Sequence, residues 1–316
     1  MAKNSKLGYY IHSYTLLLYP KCILRWKLNQ LLQKGAHSTD YEYMQQRVDY
    51  YCKLQEVTPL SDKATSLRTH TLKNKRGGSV YFFDTFEFTR YFNQAFRWLM
   101  KPGDVTTIPE EPTIVKSRPI GEENRNSILL KLNKVRHFFF VDDPIPFSEK
   151  EHKIVFRGDA NGKPGRIRFF EKWFGHPLCD LVDTASHSIN PKEWKGEGMS
   201  VNAHLKYRYI MALEGVDVAS NLKWVMSSNC IAVMPRPIYE TWFMEGTLIP
   251  NYHYIEIKPD YSDLLERTQY YTEHPEEAEA IIRHAHEYVE QFKNKKREKL
   301  ISLMVLAKYF KMTGQS

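Results

Sequence analysis

Three runs in the second half of the chain combine residue types suited to holding a charged ligand. Phe156-Arg157-Gly158-Asp159, with Asn161-Gly162-Lys163-Pro164-Gly165-Arg166 behind it, is an apolar segment feeding a glycine-rich turn and then a helical pattern. Such a turn aims backbone N–H groups and the positive end of a helix at a ligand, and Arg157 and Arg166 add fixed charge suited to a diphosphate. The run is neither a Walker A loop nor GxGxxG, so alone it reads equally as a flexible loop with solvated arginines. Glu214–Trp224 repeats the strand–turn–helix logic, with a helix opening at Val218. Small Ala219 and Ser220 let a ligand approach its first turn, Ser220 and Asn221 offer hydrogen bonds, and Lys223 offers a cation. Asp217 can simply stabilise that helix end. In the third run, from Pro235 to Phe243, a proline-rich turn with Tyr239 and Glu240 can cradle a nucleobase and hold ribose hydroxyls. Its aromatics can equally be core.

A fourth candidate, Asp84, closes the short β-rich run Ser79-Val80-Tyr81-Phe82-Phe83. A strand-end carboxylate can act as a general base on an acceptor hydroxyl, or cap the helix that follows. Other chemistries lack their residues. Asp142-Asp143 is not a DxD pair, His284 and His286 point to different helix faces, and neither HExxH nor GxSxG is present, which excludes a zincin and a serine-hydrolase elbow. Cys22, Cys52, Cys179 and Cys230 have no CxxC spacing and read as reduced thiols.

The elements that must carry these residues alternate cleanly after the break at Asp142–Pro146. Strands are expected at Lys153–Phe156, Leu178–Val182, Tyr207–Ala212, Cys230–Met234 and Tyr254–Ile257. Helices are expected up to Phe174, over Val218–Ser227, Ile238–Glu245 and Tyr261–Tyr271, and over Pro275–Phe292, whose first turn holds two Glu. Alternation of this kind implies an α/β fold with a parallel sheet, whose ligands bind beyond the carboxyl ends of the strands. Before the break, helices are expected over 14–34, kinked or started by Pro20, over Tyr41–Gln55, from Phe86 to Leu99 and around Ile128–Arg136. Strands are expected at Thr113–Ser117 and His137–Val141. This divides the chain into residues 1–150, residues 151–292 and a terminal helix, 293–316, placed to pack back on the first part.

The chain of 316 residues carries a net charge of +8, and residues 1–80 hold all of it, with 13 Lys+Arg against five acids; residues 81–316 are balanced. A regional charge argues against nucleic acid wrapped over the surface, and no RRM, KH or OB signature is present. No acid precedes Asp40, so the 14–34 helix reads either as packed on its own domain or as a basic amphipathic helix on an anionic membrane. No apolar run reaches the length of a membrane span and no signal-peptide core is evident, so a cytoplasmic chain is expected.

Taken together, these runs resemble glycosyltransferase family 90, which holds the protein O-glucosyltransferases and bacterial enzymes of lipopolysaccharide core synthesis. The resemblance covers most of residues 79–292 and rests on FRGDANGKPGR, KYRYIMALEGVDVASNLKWVMSSNCIAVMP, YETWF and HYIEIKPDYSDLLE, with 104–137 resembling the bacterial branch. It implies a GT-B architecture, two Rossmann-like domains facing across a cleft, with the nucleotide-sugar on the second. It implies inverting, metal-independent transfer of a hexose or pentose, usually from a UDP-sugar, to a surface glycan or lipid-linked acceptor on the inner membrane face, with no cofactor beyond the donor. The family's base matches Asp84 and its phosphate-binding Arg matches Arg166. A second family Arg falls on Asn221 here, which leaves the leaving-group charge to Lys223, Arg157 or Arg118. The donor set implied is then Arg118, Arg157, Gly158, Asp159, Arg166, Val218, Ala219, Ser220, Asn221, Lys223, Pro235, Tyr239 and Glu240. The competing readings are a GDP- or CMP-sugar transferase and a non-catalytic protein that binds anionic glycolipid or nucleic acid.

Overall fold

A computed structural model describes residues 6–315; Lys3 and the Cys22 side chain, both counted above, lie outside the described residues. The helices of the first stretch are α1 (Lys6–Thr15), α2 (Lys21–Ala36), α3 (Tyr41–Tyr51), α4 (Ser79–Thr89) and the one-turn α5 (Lys134–His137). Short strands lie among them: β1 (Thr65–Ser66), β2 (Arg97–Trp98), β3 (Met100–Lys101), β4 (Thr113–Val115), β5 (Ser117–Pro119) and β6 (Ser127–Leu129). There follow β7 (Glu151–Gly158), α6 (Pro164–Trp173), β8 (Cys179–Asp183), α7 (Val201–His204), β9 (Tyr207–Met211), α8 (Leu222–Val225) and β10 (Ile231–Met234). The last elements are β11 (Tyr239–Thr241), β12 (Ile255–Glu256), α9 (Leu264–Glu273), α10 (Pro275–Glu290) and α11 (Lys295–Met312).

The chain forms two compact units. One gathers residues 137–238 and 245–291, the other residues 6–136, 239–244 and 292–315. In the former, called the sheet unit here, five parallel strands lie in the order β12-β10-β9-β7-β8. Numbered by their order in the chain they run 2-1-3-4-5 from the β8 edge, a doubly wound sheet that switches direction between β7 and β9. Alternate side chains Ile154 and Phe156, Tyr209 and Met211, and Ile231 and Val233 form one buried layer with Phe169 and Phe170 of α6 and Ile281 and Ile282 of α10. The intervening Val155, Ile210 and Ala232 are buried too, so both faces of the sheet are covered. Helix α10 begins at Pro275, carries Glu276 and Glu277 in its first turn, and buries Ala278, Ile281, Ile282, Ala285 and Val289 at helical spacing.

The other unit is built around α11, which packs against α2, α3 and α4 and buries Ile301, Leu303, Val305, Leu306, Tyr309 and Phe310. Beside it lie a parallel three-strand sheet, β3-β4-β6, and two antiparallel pairs, β1-β2 and β11-β5. Its element assignments depart most from the expectations above. Ser79–Phe83 is not a strand but the start of α4, and the helix expected to run on to Leu99 stops at Thr89. Tyr81, Phe82, Phe83, Phe86 and Phe88 are all buried. A helix enclosed on every side has no polar stripe, so its aromatic run imitates a buried strand. Ile128 belongs to a strand, the segment after His137 forms none, and Ile238–Glu245 holds strand β11 where a helix was expected. There β11 pairs with β5, Glu240 opposite Arg118, and that tertiary pairing overrides local propensity.

Candidate functional site

The sheet changes direction between β7 and β9, and in sheets of this kind the crevice that takes a ligand lies at that switch, beyond the carboxyl ends of the strands. Loop 159–163 follows β7 and loop 212–221 follows β9. Arg166, in the first turn of α6, ties them together: Nη1 donates to the Asp159 carbonyl at 2.8 Å, Nη2 to that of Leu213 at 2.7 Å and Nε to that of Glu214 at 3.2 Å. Space for a side chain is tight on both sides of this strap. A Cβ on Gly215 would lie 3.0 Å from Arg166 Nη2, and one on Gly158 would lie 2.8 Å from the Phe156 ring. Gly162 holds φ +65°, the left-handed region that L side chains rarely adopt, and so allows the turn into α6. Pro164 sits at the first position of α6, where its missing N–H costs nothing.

Asp183, at the end of β8, shapes the glycine loop from beneath. Its carboxylate accepts from the amides of Ala160 and Ala185 at 3.0 Å each, from Ser188 Oγ at 2.8 Å and from Asn190 Nδ2 at 3.0 Å. Burial alone would raise its pKa, but these four donors more than offset that and hold the carboxyl below its ordinary value. Asp159 closes the loop on itself through the Asn161 amide and the Lys163 ammonium. The third loop joins the same place, since the Ile238 amide donates to Glu214 Oε1 at 3.1 Å, three residues after Pro235. The 212–221 loop is fastened at its far end by Asn221 Nδ2, which donates to the Met211 carbonyl at 2.9 Å. Val218 and Ala219 are buried and Ser220 is half-buried.

The structure thus brings Gly158, Asp159, Arg166, the stretch Val218–Asn221 and Pro235 to the carboxyl end of the parallel sheet, linked through Arg166 and Glu214. It takes others elsewhere. Arg157 grips Asp180 on the neighbouring strand through two bonds of 2.7 Å and also bonds the Asp180 carbonyl, so it cross-links β7 and β8. The helix expected over Val218–Ser227 is the single turn α8, and Lys223 within it is fully buried, 2.5 Å from Glu245. Arg118, Tyr239 and Glu240 belong to the other unit. There Arg118 Nε donates to Glu240 Oε1 at 2.7 Å, its other nitrogens donate to carbonyls of Tyr50 and Ser127, and Tyr50 donates to the second Glu240 oxygen. A guanidinium with no exposed surface, paired to an equally buried carboxylate, is a strut rather than a ligand arm.

Asp84 is also in that unit, mid-helix in α4 and fully buried. Oδ1 accepts from Tyr9 at 2.8 Å and Oδ2 from the Lys134 amide at 3.0 Å, while the Lys134 ammonium lies 3.4 Å away. Burial pushes its carboxyl above the ordinary value, and the Lys134 charge and amide draw it back only in part. In this setting the carboxylate secures α1 and the start of α5 against α4. Residues the sequence reading left out of the site are Asp183 and Glu214, which fix the loops, and Tyr261, whose hydroxyl donates to the Gly165 carbonyl and steadies α6. Asp183 had a readable signal as a carboxylate closing a strand; Tyr261 had none. Among the described residues no group of three His, Cys, Asp or Glu stands ready to hold a metal ion.

Comparison with known proteins bears on what such a crevice serves. The chain is 43% identical over 269 residues to "O-glucosyltransferase LpsA" of Dichelobacter nodosus, spanning 85% of this chain and 83% of that one. It is 34% identical over 76 residues to "Protein O-glucosyltransferase 2" of Danio rerio, covering 24% of this chain and 15% of that one. Over 139 residues it is 30% identical to "Protein O-glucosyltransferase 3" of Homo sapiens, covering 42% of this chain and 27% of that one. Residues 141–313, which include the whole crevice, match "Glycosyl transferase family 90". With a bacterial relative aligned over most of both chains and the family pattern over more than half of this one, the chain belongs to glycosyl transferase family 90 and is a glycosyltransferase.

Proposed function

We propose that the enzyme transfers a glucosyl residue from UDP-glucose to a hydroxyl of a surface glycan or lipid-linked glycan, with inversion and without a metal ion. The observation that carries this reading is the Arg166 strap across the β7–β9 switch, a cation held by three carbonyls beside two glycines and a helix N-terminus. The donor's diphosphate lies at the mouth of the crevice. Arg166 and the first-turn amides of α6 meet the charge that develops as the nucleotide leaves. Gly158 and Gly215 permit close backbone approach there, with Ser220 and Asn221 toward the sugar and the Pro235 turn toward the nucleobase. The acceptor oxygen attacks the anomeric carbon from the face opposite the diphosphate, the carbon–oxygen bond to the diphosphate breaks, UDP departs with the electron pair, and the hydroxyl proton passes to a base. The sugar is taken from the printed name of the Dichelobacter relative. A GT-B organisation suits this division, with the sheet unit holding the donor and the other unit serving the acceptor. A lipid-linked acceptor would call for peripheral contact between residues 1–80 and an anionic membrane face.

A screen of UDP-, GDP- and CMP-sugars tests the reading. UDP release from UDP-glucose is expected, unaffected by EDTA and lost in Arg166→Ala. Turnover with GDP- or CMP-sugars alone would overturn the donor, and turnover abolished by EDTA and restored by manganese would overturn the metal-free step. A parent protein whose melting temperature does not rise with UDP would overturn the crevice as donor site.

A further inference from the structure

The N-terminal helices carry two apolar faces where the sequence shows one amphipathic pattern. Tyr9, Tyr10 and Leu16 turn inward onto Phe82, Phe83 and Phe86 of α4, and Arg90 Nη1 holds the Leu16 carbonyl at 2.8 Å. The opposite side stays outside. Leu7 and Ile11 of α1 and Leu18 in the turn just beyond it are 71%, 58% and 80% exposed, while Tyr14, 52% exposed, keeps one edge against the Phe83 ring. Tyr19 in the connection, and Ile23 and Trp26 in the first turns of α2, are 61%, 50% and 65% exposed. Single exposed apolar side chains are ordinary, but a series of them along two successive helices and the turn that joins them is a surface that wants a partner.

Charge identifies the partner. Residues 6–39 hold five Lys and Arg and no Asp or Glu. Lys6, Arg25, Lys27 and Lys34 are exposed, whereas Lys21 is turned to Gln94 Oε1 at 2.7 Å. A second copy of this chain would set like charge against like on this face. A bilayer with anionic headgroups matches it: apolar and aromatic side chains enter the boundary between headgroups and acyl chains while the cations remain with the phosphates. No helix among the described residues is long and apolar enough to cross a membrane, so the contact would lie on the surface.

We propose that the exposed strip formed by α1 and the start of α2 is an interfacial anchor that docks the enzyme on an anionic lipid surface. It deepens the proposed function, on which its purpose of meeting a lipid-linked acceptor rests, while the contact itself rests on the strip alone. The full chain is mixed with vesicles of phosphatidylcholine containing phosphatidylglycerol, or with phosphatidylcholine alone, and sedimented. Binding to the anionic vesicles is expected, about tenfold weaker on neutral ones and weakened by salt. The double variant Leu18→Glu, Trp26→Glu changes only exposed positions and is expected to reduce binding about tenfold, as is the triple variant Arg25→Gln, Lys27→Gln, Lys34→Gln. Both variants keep the UDP-induced thermal shift of the parent. The anchor is overturned if the parent ignores anionic vesicles, if it binds neutral ones equally well, or if binding survives both variants. A parent that is dimeric, is split by the double variant and never sediments with vesicles would overturn it in favour of self-association. Loss of the UDP shift with vesicle binding intact would count against the donor site alone and leave the anchor standing.

Discussion

Arg166 performs a task that neither Lys nor a bare charge can reproduce, because three carbonyls receive three different guanidinium nitrogens. Arg166→Lys is therefore expected to lower kcat/KM for the donor by about a hundredfold, roughly 3 kcal/mol of transition-state stabilisation, with the fold intact by circular dichroism. Asp84 carries the opposite expectation. Enclosed by Tyr9, Lys134 and its own helix, it offers an acceptor hydroxyl no approach in this conformation. Asp84→Asn should retain transfer within about threefold while costing on the order of 1–3 kcal/mol of stability by denaturant titration, since a buried, hydrogen-bonded acceptor is altered. A transfer rate reduced more than a thousandfold at unchanged stability would make it the base after all. His70 sets a pH limit. Buried against Phe82 and Trp98, it has its pKa pushed down to about 4, chiefly by burial, with the Lys21 and Arg76 charges adding to it. The unfolded ring takes its proton near pH 6.5, so the unfolded state binds more protons between these values. The stability contributed by the neutral ring is complete above that range and is lost as pH falls toward 4, by on the order of 3 kcal/mol. Denaturation midpoints of His70→Gln should show correspondingly less loss over the same interval than the parent.

The loops around the crevice keep their shape through a few fixed bonds, and their weakest points follow from them. Asp183 holds the Ala160 and Ala185 amides, and Asp183→Asn leaves one acceptor oxygen where two served four donors. Amide exchange at Ala160 and Ala185 should quicken, and donor KM should rise with little change in kcat, because the loop is loosened while Arg166 remains. The β-strands of this unit were legible because each pairs apolar content with a flanking turn: Glu151–Gly158, Cys179–Asp183, Tyr207–Met211 and Ile231–Met234 lie within a few residues of their expected positions. Helix α4 was not. Propensity reads Tyr81-Phe82-Phe83 as strand, and only contact with α1, α11 and its other neighbours makes a helix of it. Strand β11 was misread for a related reason, since its hydrogen-bond partner, β5, lies more than a hundred residues earlier in the chain.

At the level of the full chain, the unit built from residues 6–136 is closed by segments that return from far away. Residues 239–244 supply β11, and 292–315 supply α11, whose Ile301, Leu303, Val305, Leu306 and Tyr309 are fully buried. Ending the chain before Phe292 would expose that core, and the truncated protein is expected to aggregate or to be rapidly cut within residues 6–136 by dilute protease. The truncation result also tests the division itself, for the sheet unit retains its own buried layers. The amino-acid order alone established the family pattern, the alternating strands and helices after residue 150, the glycine-rich turn with Arg166, and the concentration of positive charge before residue 80. Periodicity, turn residues and charge are local properties, and local properties survive in one dimension. Tertiary structure decided which cations are taken up in ion pairs inside the fold: Arg118 with Glu240 and Lys223 with Glu245, both buried, and Arg157 with Asp180, half-buried, are pairs separated by 122, 22 and 23 residues. It also decided which apolar residues of the first helices remain outside. Burial depends on what the rest of the chain brings alongside, and no spacing rule within a segment carries that information.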